Sequence, residues 1–394
     1  MINNTSARAD VAIVGGGIVG AATAMSLRQL EPTVDVVIVE PDPTYELAAT
    51  TRASGGVRRL FSRPENILLA QHTLDVIHRW PDVVGVPGEP PPELAWRPHG
   101  YLFVAGPTEV DALAANVVMQ RRHGVRVEWL EPSDVGARYP VLAWRDLGGA
   151  ALSPDDGWLD PYAFLQGLLR KAGSLGARVL RDRVVGFEVD RSRVRTARLE
   201  SGGVVTAESF VNAAGVWAAD LAAGIGMRLP VEPMRRFEHF VETSADVAGL
   251  PFIKDAAGLA IRPEGPGLSV GLVDFDHPGG HGSDLDRGYF EASVWPALVE
   301  RIPALDRLRL RSTTIGHYDQ NRLDGNLIVG NWPGRLDNFY VACGFSGHGL
   351  MQAPGVGRAL AELVVYGEYR TIDLGRLGYR RVLDGQPYAE RGIR

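Results

Sequence analysis

The sequence predicts an α/β plus α+β chain: a Rossmann-like dinucleotide-binding domain into which a second, mainly antiparallel-sheet domain is inserted. Three observations predict it. An apolar run at residues 11–14 meets Gly15, Gly16, Gly17 and Gly20, then an alanine-rich helical pattern, then a second apolar run at 36–39 ending in Glu40. Near the far end, another strand pattern delivers Gly344, Gly347 and Gly349 to the start of a long helix. Between them, residues 231–323 read as strands and loops of a different character.

The opening unit is β-α-β and carries G-x-G-x-x-G with an acid about twenty residues on, as a dinucleotide site requires. Gly15 makes the tight turn, Gly17 lets a pyrophosphate approach the backbone, and Gly20 lets the helix pack onto its strand. Free N–H groups at that helix start, with Ile18 and Val19 in its first turn, hold phosphate. Glu40, followed by Pro41, is placed to accept from a ribose diol. The unit alone does not say which dinucleotide binds.

Small residues and glycines then dominate Thr50, Thr51, Arg52, Ser54, Gly55, Gly56 and Val57, a loop able to run close against something flat or phosphorylated. Two arginines, Arg58 and Arg59, end it. A helix is predicted over 64–80, with apolar residues at helical spacing. A proline-rich stretch, 81–100, marks a crossover between domains. Strands are predicted at 101–105, 125–129 and 148–152, with helices at 108–123 and from 131. Asp160 and Pro161 form an N-terminal cap for a helix over 162–175. Strands follow at 177–180, 184–189, 193–199 and 203–206. FVNAAGVW, residues 210–217, then reads as a strand entering small residues and a helix. Further strands are expected at 238–242, 259–262, 268–273, 308–318, 327–329 and 339–342, with a helix at 289–301. The first domain is thus expected at 1–85, 153–228 and 324–394, and the second at 86–152 and 229–323.

Composition narrows the classes. The chain has 394 residues and a formal net charge of −6, which gives no reason to bind nucleic acid or an anionic membrane. One cysteine, Cys343, excludes an internal disulfide framework and a multi-cysteine metal site, and no metal is expected. Lys171 and Lys254 are the only lysines, so a role that requires lysine has two candidates. No stretch has the length and apolarity of a membrane span, and MINNTSARAD lacks the pattern of a secretory signal, so the expected location is cytoplasmic.

Taken together, these segments resemble the FAD-dependent D-amino-acid oxidase superfamily, in its branch of sarcosine oxidase, dimethylglycine dehydrogenase and glycine oxidase. The resemblance rests on residues 14–20 with Glu40, NAAGVW at 212–217, DGNLIVG at 324–330 and GFSGHG at 344–349. GFSGHGL-x-QAPG-x-GRA and FSRPEN, at 61–66, extend the likeness to the flavoproteins that assist assembly of respiratory complex I and their bacterial relatives.

The resemblance implies a glutathione-reductase-like FAD domain. The ADP half would lie on Gly15–Gly20 and Glu40, and the ring between the domains against residues 50–57. Val184 and Val185 would flank the adenine, with Ala213, Ala214 and Gly215 on the pyrophosphate side and Trp217 following them in the same cofactor-facing segment. Gly344, Phe345, Ser346, Gly347, His348, Gly349, Leu350 and Met351 would lie beside the flavin's N1–C2=O edge, where a helix start stabilises the negative charge of the reduced ring. The implied reaction oxidises the C–N bond of a secondary or tertiary amine of amino-acid type, sarcosine- or opine-like, with a hydride equivalent passing to flavin N5 and water hydrolysing the imine.

Departures from the family are informative. The cysteine that attaches the flavin in sarcosine oxidase aligns with Gly316, and the histidine used by dimethylglycine dehydrogenase falls near Arg52, so FAD is expected to be noncovalent. The oxygen-activating lysine aligns with Ser269, and neither lysine replaces it by position. The acceptor is therefore either O2 or a protein or quinone. Arg59 is carried over as the carboxylate clamp, with Arg262 and Tyr318 as further candidates and His348 near the flavin. His239, Trp217 and His317 read as structural. An alternative from another class is a flavin-bound assembly or interaction protein with little turnover. A flavin reductase using NAD(P)H is disfavoured by the lack of a second glycine fingerprint. A homo-oligomer is compatible with the sequence.

Overall fold

The computed structural model describes residues 6–393 except 275–278, 283 and 287. Residues 1–5, part of the segment read for a secretory signal, lie outside the described residues. Two eight-stranded sheets dominate, and they differ in kind.

The first runs Ile328–Trp332, Leu336–Cys343, Val204–Asn212, Ala7–Val14, Val36–Val39, Arg178–Leu180, with a hairpin of Val184–Asp190 and Arg193–Leu199 joined to Val204–Asn212. Its centre is parallel, Ala7–Val14 lying between Val204–Asn212 and Val36–Val39. Central parallel strands are covered on both faces, which explains why Val36–Val39 is apolar and buried at every position. Helix Ile18–Leu30 covers one face together with the long helix Gly349–Tyr366. The glycines of QAPGVGRA mark where that helix meets its neighbours. A Cβ on Gly357 would stand 2.5 Å from the Ala22 carbonyl carbon, and one on Gly355 would stand 2.7 Å from a Leu69 methyl on helix Pro64–His78.

The second sheet is ordered Arg309–Asn321, Val231–Glu242, Gly267–Leu272, Leu259–Glu264, Phe252–Asp255, Tyr101–Ala105, Gly149–Ser153, Glu128–Leu130. Only the pairing of Phe252–Asp255 with Tyr101–Ala105 is parallel. One face packs on its own core, with Phe237, Val241, Ile253, Ile261, Leu268 and Val270 against the helical segment that includes Phe290 and Leu298. The other face looks toward the first domain's loops.

Several elements differ from expectation for identifiable reasons. The strand expected at 238 begins at Val231, and the earlier half contains Pro233, Arg235 and Arg236. That half pairs with Arg309–Asn321 on one side, while Gly267–Leu272 joins only from Glu238 on, so a proline is tolerated there. Strands expected at 203–206 and 210 onward are one strand, Val204–Asn212. The short strand Phe252–Asp255, with its charged second half, was not predicted. The helix expected at 289–301 is a π-turn, Phe290–Val294, followed by Trp295–Arg301. Pro296 has no N–H to offer the turn before it, which fits a widened register at that point. Asp160 caps its helix as predicted, accepting from the N–H groups of Tyr162 and Ala163. Among the described residues no helix is long and apolar enough to cross a membrane.

Candidate active site

The glycine turn has the close approaches its residues predict. Gly15 has φ +95°, and a Cβ there would lie 2.5 Å from the Ala213 carbonyl oxygen, so this turn and the Ala213–Gly215 turn abut. A Cβ on Gly20 would lie 2.0 Å from the Gly15 carbonyl oxygen, whereas one on Gly17 meets nothing nearer than Thr50 Oγ1 at 3.7 Å. Gly20 thus serves packing and Gly17 leaves open space at the helix start. Glu40 Oε2 accepts from the Gly16 N–H at 2.8 Å and Oε1 from the Asp42 N–H at 2.9 Å, which fixes the carboxylate at that mouth with lone pairs to spare. Burial raises its pKa, against the lowering effect of those two N–H groups. Ile18 and Val19 are buried in the first turn, and Pro41 is partly covered.

Two residues at this mouth carry no sequence signal we recognised. Tyr45, at φ +58°, sets its hydroxyl against Gly16, where a Cβ would come within 2.7 Å. Arg183 lies 6.0 Å over the Trp217 ring. Next to it, Val184 is buried and Val185 exposed. Trp217 is partly exposed and stacks on His281.

The loop after Thr50 is bound at each step. Thr50 Oγ1 accepts from the Ile18 N–H at 3.2 Å, and Thr51 Oγ1 donates to the Tyr45 carbonyl at 2.6 Å. Arg52 donates to the Glu46 and Ile315 carbonyls, tying the loop to the second sheet. Gly55, at φ +82°, passes so near Leu159 that a Cβ would lie 2.1 Å from its carbonyl oxygen. Gly56–Val57 pairs with Gly157–Trp158.

Between this loop and the open face of the second sheet lies a cavity. Cross-strand register explains its shape. Glu238, Gly271, Ala260 and Lys254 stand opposite one another on four adjacent strands, so their side chains share a face. Two of the four have almost no side chain, so the middle of the sheet face is bare. Larger groups rim it: Arg236, Tyr318, Lys254, Phe252, Tyr101 and Arg58.

The opposite wall is Ser346, Gly347, His348, Leu350 and Met351. Gly344, Ser346 and Gly347 all have positive φ, and the non-glycine Ser346 at +52° is held there by its neighbours. Its N–H donates to the Asp319 carbonyl, its hydroxyl accepts from the Asn321 N–H, and Asp319 Oδ2 accepts from the Gly344 N–H. Burial pushes the Asp319 carboxyl up to about 6. Phe345 is buried, and Gly349 begins the helix. A Cβ on Gly347 would strike the Tyr318 ring at 2.5 Å, so this turn and the second sheet touch here.

His348 Nε2 lies 3.0 Å from Arg58 Nη2. A guanidinium can only donate, so Nε2 accepts and the proton of the neutral ring sits on Nδ1. Arg58 is itself 1% exposed, donates to the Leu60 carbonyl, and lies over the rings of Phe61 and Phe103. Burial holds its pKa below the usual guanidinium value.

The arginine assignments from sequence need correction. Arg59 does not line the cavity. Its Nε donates to Asp156 Oδ1 at 2.8 Å, and its backbone N–H donates to Oδ2, so its charge is spent on a buried carboxylate. Neighbours in an extended segment project to opposite sides, so of two consecutive arginines one faces the cavity, and that one is Arg58. Arg262 is absent from the lining as well: it donates to the Ser54 carbonyl and pairs with Glu264. Tyr318 and His348 do line the cavity, as do Arg52, Ser54, Gly55 and Gly56. His317 also lines it, 3.1 Å from the Gly282 carbonyl. His239 is buried against Phe237 and Phe290, and burial lowers its pKa to about 4, which makes it a neutral core residue.

Sequence reasoning missed Arg236, Glu238, Tyr101 and Lys254. For Lys254 a signal existed, since the chain has two lysines and one faces this cavity. Burial, followed by the nearby Arg58 and Arg236, lowers its pKa well below the usual lysine range. Arg236 Nε is a buried donor with no hydrogen-bond partner among the described residues.

The family model for FAD dependent oxidoreductases, DAO, matches residues 10–363, which hold both glycine turns and the cavity. The chain belongs to this family. A curated relative, FAD-dependent oxidoreductase domain-containing protein 1 of Bos taurus, is 34% identical over 98% of this chain and 87% of its own length. Mitochondrial sarcosine dehydrogenase of Mus musculus is 27% identical over 91% of this chain but only 40% of that protein. Among solved structures, L-proline dehydrogenase from P. horikoshii superposes with a TM-score of 0.86 at 23% identity, covering 98% of this chain and all of that one, and shows the shared fold. The DAO-family chain is thus an FAD-dependent oxidoreductase with amine- and amino-acid-oxidising relatives.

Proposed function

We propose that the protein oxidises a secondary or tertiary amine of amino-acid type, an N-alkyl or opine-like amino acid, in the cavity between the two sheets. The observation that carries this is Arg236, a partly buried arginine whose enclosed Nε has no hydrogen-bond partner among the described residues, beside Tyr318 on the cavity wall. Its guanidinium lies 5.2 Å over the Tyr318 ring. An unpaired buried donor is costly, and a substrate carboxylate removes that cost. Arg236 therefore takes the clamp role expected of Arg59.

The residues present fit FAD. The open space over Gly17, the start of the following helix and the fixed Glu40 suit the ADP half, with Val184 and Val185 on the adenine side. The loop from Thr50 to Val57 and the turn from Gly344 to Met351 would hold the ring. Bound FAD supplies a two-electron acceptor that takes a hydride equivalent from the carbon beside the amine nitrogen, leaving an imine that water hydrolyses to a carbonyl compound and an amine. This chain's residues orient that carbon. Arg236 and Tyr318 fix the acid end, the bare strip over Gly271 and Ala260 admits the amine, and Phe252 and Tyr101, stacked at 4.4 Å, keep water from that side. On the opposite wall, the helix start and the Nδ1–H of His348 oppose negative charge.

Arg236→Gln is expected to raise the substrate concentration that half-reduces the flavin by about 10- to 100-fold, the worth of a hydrogen bond to a charged group. An unchanged titration with FAD still bound would remove Arg236 from the clamp role.

FAD is held without a covalent bond. Gly316 and Arg52 supply neither thiol nor imidazole, and burial raises the pKa of Cys343, keeping it a thiol in the core. Acid precipitation is expected to release the yellow colour into the supernatant; a yellow pellet contradicts this.

A further inference from the structure

Glu238 is the one carboxylate in the cavity lining among the described residues. It stands two residues along the strand from Arg236 and projects from the same face. The Ser269 hydroxyl, on the neighbouring strand, donates to its Oε1 and holds the carboxylate in place. Its Oε2 takes no hydrogen bond among the described residues. That oxygen hangs over Gly271, the residue opposite in register, where a Cβ would lie 3.0 Å from it. The lack of a side chain at Gly271 thus keeps Oε2 open to the cavity.

Arg236 and Glu238 present a cation and an anion about 7 Å of strand apart. An amino-acid-type amine arrives at neutral pH as a zwitterion, and its carboxylate and ammonium complement the two. The ammonium form cannot be oxidised as it stands. Its nitrogen has no lone pair, and that lone pair must form the C=N bond as the adjacent carbon gives up hydride. A group that removes one proton from nitrogen is therefore required at the amine end of the cavity.

We propose that Glu238 is that group: its Oε2 receives the ammonium of the bound amine and takes its proton as a general base. This rests on the reading of the cavity as an amine-oxidising site. The proton passes from nitrogen to Oε2, leaving a neutral amine and a neutral carboxyl. The carbon then loses a hydride equivalent to the oxidant that FAD supplies, while the nitrogen lone pair closes the C=N bond. Water adds to the iminium, which separates into a carbonyl compound and an ammonium, and Glu238 returns its proton to solvent.

The surroundings of the carboxyl suit this work. Burial raises its pKa, opposed by the Ser269 hydroxyl and by the charges of Arg262 and Arg236, and aided by Glu264. Lys254 faces the same strip from Phe252–Asp255, whereas Arg309–Asn321 places the uncharged Thr314 opposite Glu238. A carboxyl raised above the ordinary carboxylate range is the better proton acceptor.

The contact is tested on the FAD-loaded protein with two isosteric acids that cannot turn over as amines. Dimethylsulfonioacetate carries a fixed positive charge where 3-methylbutanoate carries none. Each is titrated while the flavin spectrum is followed. The sulfonium is expected to bind at least about tenfold more tightly, and Glu238→Gln to bring that preference within about threefold. Equal binding by the wild-type protein, or a preference for 3-methylbutanoate, overturns the proposal whether or not the variant folds.

The proton transfer is tested by anaerobic stopped-flow reduction of the flavin with saturating sarcosine and iminodiacetate. Glu238→Gln is expected to slow reduction at pH 7 by about 100-fold or more, with Glu238→Asp retaining part of the rate. The deficit should close as the pH approaches the amine's own pKa, about 10, because the amine then arrives deprotonated. A deficit that stays constant over that range overturns the base role. A sulfonium preference that depends on Glu238, with no bleaching by either amine, supports Glu238 as the cation-receiving group and removes amine oxidation. Bleaching by sarcosine with no sulfonium preference keeps amine oxidation and overturns the role of Glu238.

Discussion

Gly20→Ala is expected to leave the protein with less than about a tenth of the wild-type FAD affinity. The added methyl would stand 2.0 Å from the Gly15 carbonyl oxygen and 3.3 Å from an Ile13 methyl, and neither can retreat. Gly15 is itself fixed, its N–H donating to the Val39 carbonyl at 2.9 Å and its Cα side abutting Ala213. The helix must therefore back away from its strand. Overpacking of this kind costs about 1–3 kcal/mol, and the displacement falls on the turn that would hold the pyrophosphate. Flavin content of the purified variant, with far-UV circular dichroism to confirm folding, checks it. Gly173→Ala is the control. That residue sits in helix Pro161–Ser174 with nothing within 4 Å of a new Cβ, so the change should leave FAD untouched and favour the helix. Equal flavin content in the two variants would mean that Gly20 has no part in the site.

Asp324→Ala is expected to destabilise the fold by about 3–5 kcal/mol, the cost of leaving a buried charge without its partner. Asp324 and Arg381 form a buried, two-point ion pair, at 2.8 and 3.2 Å. The same carboxylate accepts from the N–H groups of Asn326 and Tyr388 and from the Asn321 side chain. It thereby joins the end of the second sheet, the strand Ile328–Trp332 and the C-terminal segment. Burial raises its pKa, but Arg381 and the N–H of Tyr388 outweigh burial, and the net shift is downward. A carboxyl lowered in the folded state contributes stability above its unfolded pKa, near 4, and loses it as the pH falls through the folded value. Denaturant unfolding should show the full gap between wild type and variant at pH 7, and a narrower gap in acid. A gap that widens in acid would contradict the assignment.

The sequence made the two glycine turns legible because each glycine there answers a local steric demand that its neighbours also reveal. Gly15 and Gly20 are needed by a β-α-β turn whatever surrounds it, and the apolar runs at 11–14 and 36–39 say that such a turn is present. The long helix was legible for the same reason. What the sequence hid is whatever depends on pairing across the second sheet. Lys254 and Glu238 share a face only because Phe252–Asp255, Leu259–Glu264, Gly267–Leu272 and Val231–Glu242 align in one register. Nothing within either short segment announces that. Arg58 and Arg59 show the limit most sharply. Both stand at the end of the same loop, and alternation alone decides that one faces the cavity while the other is consumed by Asp156. The likeness carried residue by residue pointed to Arg59, whereas the one of the two that lines the cavity is Arg58. The chain's two lysines and its run of bare residues at 271 and 260 were visible but had no meaning without the sheet.

The central claim is that this cavity oxidises an amino-acid-type amine with bound FAD. Anaerobic titration of the FAD-loaded protein with N-substituted amino acids, iminodiacetate and sarcosine among them, tests it most directly. At least one of them should bleach the flavin absorbance, with one equivalent of carbonyl product formed per flavin reduced. An unchanged flavin spectrum across the whole panel, with FAD in place, would contradict the claim.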